Sequence, residues 1–349
     1  MPSSAPLVSV VIVVRNGCRD IVGALDSVFQ QSYTPLEVIV ADGMSNDGTR
    51  TAVEGYAREH RDISLRLLDN PARIQAPGWN IGIRAARGEF VLRLDAVHCR
   101  LDPDYIQSCL RKLMELRQAD PSVAAIGGRR LSLPASADPW PTAIALAQTS
   151  RFGVGNANYR LGSTAGFVDT LGVPLYRKDI LFEVGLFNES LGRSEDNDLH
   201  ARLRQKGLKL YFHPEATSLY YARGSLSGIA SQMFHNGWWV SATLMRLGRS
   251  PFGVRHWAPF AFGASLLLLA MMSVPYAVPR ILLAVVLAIY LAGSVLAAIV
   301  ALPGLRFWRV VVVFWLMHAS YGAGTAMGLF AGKQGPKIGK ATAPGANLG

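Results

Sequence analysis

Three groups of polar residues in this 349-residue chain have the types and spacing to do chemistry. The first is Asp42-Gly43-Met44-Ser45-Asn46-Asp47-Gly48-Thr49, at the end of an apolar run. A carboxylate at such a place can accept a hydrogen bond from a base or a sugar. The Ser-Asn-Asp-Gly turn equally suits a plain capped passage from strand to helix. The second group is Asp95-Ala96-Val97-His98, directly after the apolar residues 90–94. A lone aspartate there suits Mg2+ or Mn2+, which take hard oxygen ligands and bridge readily to a diphosphate. His98 would be a second ligand or a neutral donor to phosphate; a cap for the next segment is the structural alternative. The third group is Glu195-Asp196-Asn197-Asp198, which opens a helix carrying Leu199 and Leu203. Its carboxylates repel one another, and a helix N-terminus is the structural reason to tolerate them. The functional reason is a general base whose proton affinity is raised by the neighbouring negative charge.

The elements that must position these groups alternate. Residues 7–14 form a continuous β-branched run, hence a buried strand, and Asp20 can cap a helix that shows Ile21, Leu25, Val28 and Phe29 on one face. Residues 36–41 predict a second buried strand, followed by a turn and a helix from about Thr49. Strands at 65–68, 90–94 and 123–126 continue the series, with helices at 76–86 and 103–117. Strand–helix repetition of this length predicts an α/β fold with a doubly wound, mainly parallel sheet. Ligands of such sheets bind at the carboxyl ends of the strands, where the first two polar groups stand. The glycine-rich residues 151–166 read either as a mobile closing loop or as a surface connection.

Composition divides the chain. Half the residues are hydrophobic and only 17% are charged, which excludes disorder and collagen-like repeats. Cys18, Cys99 and Cys109 match neither a disulfide framework nor a zinc pattern, and fit a reducing compartment. The net charge of +11 is concentrated after residue 215, where 10 Lys and Arg stand with no acid. The same third holds three apolar runs, 257–278, 281–305 and 310–332, each long enough to cross a bilayer. Basic residues flanking such runs belong beside anionic lipid headgroups, so the excess reads as membrane attachment and not as nucleic-acid binding. The residues before the first strand hold no signal-peptide core. Arg246, Arg249 and Arg255 before the first run place the head on the cytoplasmic side. Residues 225–247 carry Ile229, Met233, Val240 and Leu244 at helical spacing around Trp238 and Trp239, which predicts an interfacial amphipathic helix. The predicted organisation is therefore a head at 1–224, an interfacial segment at 225–256, about three membrane helices at 257–332, and a disordered basic tail at 333–349.

Six landmarks stand in order from about Pro6 to Arg249. They are Val8-Ser9-Val10-Val11-Ile12-Val13-Val14-Arg15-Asn16, then Asp42 to Thr49, Asn80-Ile81-Gly82, and Arg87-Gly88-Glu89-Phe90-Val91-Leu92-Arg93-Leu94-Asp95. Val184-Gly185-Leu186-Phe187-Asn188-Glu189 and Glu195-Asp196-Asn197-Asp198-Leu199 follow. In these the chain resembles the family 2 glycosyltransferases of the GT-A fold. Within that family it looks like the succinoglycan-type bacterial exopolysaccharide transferases, through Val168-Asp169-Thr170, the run at 220–225 and Gly237-Trp238-Trp239.

The resemblance implies an inverting transferase moving a sugar, by likeness from UDP-glucose, to a polyprenyl-diphosphate-linked glycan at the inner (cytoplasmic) membrane. It implies donor-binding roles for Asn16, Asp42, Ser45, Asp47 and Asp95, with Asp42 on the nucleotide base and Asp47 holding the turn. Asp95 and His98 would hold Mg2+ or Mn2+, and Asp196 would be the catalytic base. Glu195, Asp198, Gln232 and Trp238 would position the base or the acceptor. Two departures stand out. Val97 or His98 occupies the place of the second aspartate in the family's Asp-x-Asp, and Gln232 to Trp238 lacks the arginine of the Gln-x-x-Arg-Trp of processive synthases. The alternatives are accordingly a processive synthase and a catalytically degenerate binding subunit.

Overall fold

The computed structural model describes residues 5–155, 157–302 and 306–331. Strand β1 (Val8–Val14) is followed by helix α1 (Cys18–Phe29), β2 (Leu36–Asp42), α2 (Thr49–Glu59), β3 (Ser64–Asp69), α3 (Gln75–Ala85) and β4 (Phe90–Asp95). Next come β5 (Cys99–Leu101), α4 (Tyr105–Ala119), β6 (Val123–Leu133), α5 (Pro139–Gln148), α6 (Arg151–Val154) and α7 (Asn158–Leu161). Then β7 (Gly166–Val168), β8 (Pro174–Arg177), α8 (Lys178–Glu183), α9 (Glu195–Gln205) and β9 (Lys209–Tyr221) lead to α10 (Leu226–Leu247). After a 3-10 turn, Val254–His256, the chain forms α11 (Ala258–Ser273), α12 (Ala277–Ala301) and α13 (Trp308–Ala331). The tail expected at 333–349 lies outside the described residues.

Two compact units result. The first comprises the described residues up to Leu131 together with Asn158–Tyr220; the second comprises Ser132–Ala157 and the described residues from Tyr221 onward.

The first unit is built on one sheet in the order β3-β2-β1-β4-β8-β6-β9-β5, with β7 paired to β9. The half from β3 to β4 is parallel, whereas β8 is antiparallel to both β4 and β6. The sheet is thus mixed, and the strand expected at 123–126 meets β4 only through β8. Apart from Ser9, strand β1 is apolar because both its faces are covered. Val8, Val10, Ile12 and Val14 meet α1, α2 and α4 on one side, while Val11 and Val13 meet α3, α8 and α9 on the other. Helix α1 starts at Cys18 with Gly17 as its cap, so Asp20 lies in the first turn and does not cap it.

At the amino end of the sheet, Glu37 is buried and ties several elements together. Its carboxylate accepts hydrogen bonds from Ser9 Oγ (2.6 Å) and from the Arg87 backbone N–H (2.6 Å) and Nε (2.9 Å), and pairs with Arg66 at 3.2 Å. At the opposite end the registers Val14↔Asp42 and Val13↔Asp95 bring the first two polar groups to either side of β1. Strand order reverses there, with β2 to one side and β4 to the other, and a crevice opens at such a point.

In the second unit α10 runs against α13 through glycines. A methyl group at Gly324 would fall 2.0 Å from the Phe234 carbonyl oxygen, and one at Gly237 would fall 2.0 Å from that of Tyr321. Trp238 and Trp239 are buried and meet edge to face at 5.0 Å. They do not lie along an exposed face as an interfacial helix would place them. Helix α5, expected within the head, belongs to this unit: it is free of charge, and Ile144 and Ala147 join Val310, Phe314 and Met317 in one apolar cluster. Residues 151–154 and 158–161 are short helices, where a glycine-rich loop was expected.

The first of the three apolar runs gives a helix of only 16 residues, ended by the turn around Pro275. At 1.5 Å per residue it is about 24 Å long, short of the roughly 30 Å of a bilayer core. Helices α12 and α13, with 25 and 24 residues, are long and apolar enough to cross. Large apolar side chains point outward along α12, Ile289 being 68% and Val300 77% exposed, which suits lipid and not water.

Burial pushes the Glu37 carboxyl up, but the Ser9 hydroxyl and Arg87 outweigh it and hold the group below its ordinary value. Its stabilisation is therefore present at neutral pH and is lost as pH falls through that lowered value. Glu37→Ala is expected to cost about 2 kcal/mol at pH 7, because the buried Ser9 hydroxyl and Arg87 N–H lose their acceptor. Unfolding of both proteins in detergent should show the difference shrinking on acidification.

Candidate active site

The turn after β2 is organised from within. Asp42 is fully buried; it accepts the Ser45 backbone N–H at 3.0 Å, takes a second bond from the Ser45 hydroxyl, and pairs with Arg50 at 3.0 Å. Arg50 also reaches Asp69 at 2.7 Å. Ser45 Oγ accepts the Asn16 backbone N–H at 2.8 Å, and Asn16 Oδ1 accepts that of Asn46 at 3.1 Å. Asp47 accepts the N–H groups of Cys18 (3.0 Å) and Thr49 (3.1 Å) as well as the Thr49 hydroxyl. Burial pushes Asp47 up, but the Thr49 hydroxyl and these N–H donors hold it below the ordinary carboxylate range. The positive φ of Asn16 (50°), Met44 (57°) and Gly48 (94°) lets the two loops curl toward each other. Asn16, Asp42, Ser45 and Asp47 are thus one interlocked scaffold. Asp42 points into it, so outward contacts fall to its partners, Arg50 among them.

Asp95 ends β4. Its Oδ1 accepts the Val97 N–H at 3.0 Å, and its other oxygen receives no hydrogen bond from a described residue. Among the described residues no three His, Cys, Asp or Glu side chains gather as a metal cage. The set instead fits a cation held by one carboxylate and shared with a bound diphosphate, as Mg2+ commonly is. The His98 ring packs on Tyr220, 5.3 Å between centres.

The carboxylates of α9 meet a cation that the sequence reading overlooked. Arg93, two residues before Asp95 on the same face of β4, has its side chain only 15% exposed. It pairs with Glu195 at 2.9 Å and Asp196 at 3.6 Å, and its guanidinium lies 4.8 Å from the Trp79 ring and 5.7 Å from that of Phe187. Glu195 is 2% exposed, whereas the Asp196 side chain is 31% exposed. The two carboxylates differ accordingly. Burial, reinforced by the charge of Asp196, pushes Glu195 up despite Arg93. For Asp196 burial is outweighed by Arg93, His200 and the Asn197 N–H, and the group is held below the ordinary range. This corrects the expectation of a base with raised proton affinity: the buried guanidinium dominates the like-charge repulsion.

The neighbours of this pair are fixed in turn. His200, four residues after Asp196 on α9, bonds through its ring nitrogens to Thr170 Oγ1 (3.0 Å) and the Tyr176 hydroxyl (2.7 Å). Burial pushes its imidazole down to about 4 against the pull of Asp196, so it is neutral at physiological pH. Asp198 is buried and holds Arg202 at 2.8 Å; Arg202 donates to the carbonyls of Val184 and Leu186, each at 2.6 Å. Asn80 brackets Phe187 by accepting its N–H and donating to its carbonyl, both at 2.9 Å. Asp198 therefore acts on the frame under the site. Gln232 and Trp238 belong to α10 of the second unit, where Trp238 is buried.

Comparisons with known proteins agree with this architecture. The glycosyl transferase family 2 profile matches residues 9–178. The succinoglycan biosynthesis protein ExoA of Rhizobium meliloti (strain 1021) is 30% identical over 260 residues, covering 72% of this chain and 76% of that protein. A dolichyl N-acetyl-alpha-D-glucosaminyl phosphate 3-beta-D-2,3-diacetamido-2,3-dideoxy-beta-D-glucuronosyltransferase of Methanococcus voltae is 24% identical over 260 residues, covering 73% and 78%. Among solved structures, the mannosyltransferase PcManGT from Pyrobaculum calidifontis, in complex with GDP-Man and Mn2+, superposes with a TM-score of 0.63 at 21% identity. That match covers 94% of this chain and 88% of the other, and it establishes the shared GT-A fold.

Arg93→Met should leave Glu195 buried without its counter-ion and destabilise the protein by about 3–5 kcal/mol at pH 7. An unpaired buried carboxyl has a raised pKa, so the folded state binds the extra proton and the deficit shrinks as pH falls. Unfolding of the variant at pH 7 and pH 5 checks both signs.

Proposed function

Because this chain belongs to glycosyl transferase family 2 and is a glycosyltransferase of glycan biosynthesis, we propose that it moves a single hexosyl group from a nucleotide-sugar, with inversion, to a lipid-linked glycan. UDP-glucose is the proposed donor and a polyprenyl-diphosphate-linked sugar the proposed acceptor, by likeness to the succinoglycan protein. The observation that carries the reading is the division of labour at the start of α9, where Glu195 is buried on Arg93 while Asp196 stays accessible and ionised.

In this reaction the acceptor hydroxyl oxygen attacks the anomeric carbon while the bond from that carbon to the diphosphate oxygen breaks. Asp196 takes the hydroxyl proton. Arg93, itself anchored on Glu195, holds Asp196 in place, and the buried His200 beside it is neutral. Asp95, together with the donor's diphosphate, would hold Mg2+ or Mn2+, which when bound neutralises charge on the leaving group. The loops of Asn16 and of Asp42 to Asp47 shape the nucleotide end of the crevice, with Arg50 available there.

Helices α12 and α13 are proposed to anchor the enzyme in the inner membrane, with the catalytic unit facing the cytoplasm where nucleotide-sugars are made. A lipid-borne acceptor would then be presented at the bilayer surface.

Asp196→Asn is isosteric and removes the proton acceptor. It should lower kcat by roughly 10²–10⁴-fold while leaving nucleotide affinity within about twofold. Transfer at the wild-type rate would sink the assignment.

A further inference from the structure

One cationic cluster of the first unit has no part in the chemistry above. Arg130 of β6 lies between two phenol rings, its guanidinium carbon 4.9 Å from the centre of Tyr159 and 4.2 Å from that of Tyr220. Arg160 of α7 stands 5.6 and 5.7 Å from the same two rings, and its Nε donates to the Tyr159 hydroxyl at 3.4 Å. His98 packs on Tyr220 from the turn after β4. Two guanidinium groups and an imidazole are thus gathered by four separate elements.

The cluster is incomplete by itself. Arg130 Nε is buried and has no hydrogen-bond acceptor among the described residues, and Arg130 forms no ion pair with a described carboxylate. Stacking on aromatic faces orients a guanidinium but does not replace the acceptor that its N–H groups require. The surrounding field is positive: burial pushes the Tyr159 phenol up, yet Arg160 and Arg130 bring it down to about 8. Among the described carboxylates, Asp95 is within electrostatic reach of Arg130. An incoming oxyanion would satisfy the orphaned donor and the field together, and a planar guanidinium suits phosphate oxygens in particular.

We propose that Arg130, flanked by Arg160 and His98, is a phosphate-binding subsite that receives the diphosphate of the nucleotide-sugar donor. This rests on the glycosyltransferase reading above. Val97 or His98 stands where the family's pattern has a second aspartate, so fewer carboxylates oppose a diphosphate here. The arginine then supplies positive charge to the leaving group alongside a cation on Asp95, and part of the diphosphate affinity persists without metal. The phosphate of a phosphorylated acceptor lipid has the same chemistry and is separated by the test.

Calorimetric titration of the full-length, detergent-solubilised protein provides that test. The probes are UDP, GDP, their nucleosides, and a phosphorylated polyprenol, with EDTA throughout. Wild type should prefer a nucleoside diphosphate to its nucleoside, and Arg130→Gln should weaken that nucleotide about tenfold or more with nucleoside binding unchanged. Arg130→Lys, which keeps the charge but loses the planar fork, should fall between them. If only the phosphorylated polyprenol is weakened, the subsite stands and its phosphate is the acceptor's. Unchanged affinity for every probe overturns the subsite. A wild type that binds no nucleotide defeats the donor reading, and the polyprenol arm then decides the subsite alone. Should Arg130→Gln fail to fold by circular dichroism, Arg160→Gln on the four-residue α7 must give the same ordering of probes.

Discussion

A guanidinium buried inside an α/β unit is costly unless it is paired, and the catalytic half of this protein is arranged around one such group. Arg93 comes up from β4 beneath Trp79 and Phe187 and meets the first two residues of α9. Its charge explains why three acidic residues can crowd one helix start, since the dipole of α9 alone would offset little of their repulsion. It also separates the two carboxylates it touches. The buried one is consumed as counter-ion, and the accessible one is left ionised. The surrounding contacts serve that arrangement: Asn80 clamps Phe187, Arg202 ties Asp198 to the turn before Phe187, and His200 is pinned by Thr170 and Tyr176.

The donor half has a different logic. There the parallel registers of β1 with β2 and β4 set two aspartates at the strand ends, and the loops beyond them are locked by side-chain bonds across the switch point. One half therefore relies on a single buried charge, the other on backbone geometry. That contrast suits a transferase, in which the donor must be gripped while a proton must move.

Much of this could be read from the residues. The apolar runs located β1, β2 and β4, and Asp95 and the acidic start of α9 stood out by type. Strand β8 escaped because Pro174–Arg177 is four residues long, too short for any alternation to register, and it is the strand that makes the sheet mixed. Arg93 escaped because one arginine inside an apolar strand looks like an edge position until its partner, about a hundred residues later, is known. Its alternation with Asp95 was the available signal. His200 was likewise legible only as the residue one helical turn after Asp196. The burial of Trp238 and Trp239 was hidden because α10 packs through glycines on a helix far along the chain, and a helical pattern does not say what covers it. Asp42 was placed at the right strand end, yet its inward direction depends on Ser45 and Arg50, whose contacts no spacing reveals.

This interlocked site should turn over a nucleotide-sugar. The direct measurement is release of nucleoside diphosphate by the detergent-purified protein across a panel of UDP- and GDP-sugars, with and without Mn2+ or Mg2+, in the presence of membrane lipid extract as acceptor source. Release from one sugar nucleotide, stimulated by the metal and by the extract, is the expected result. No release from any donor, with nucleotide binding intact and the extract present, would contradict it and leave a binding subunit in its place.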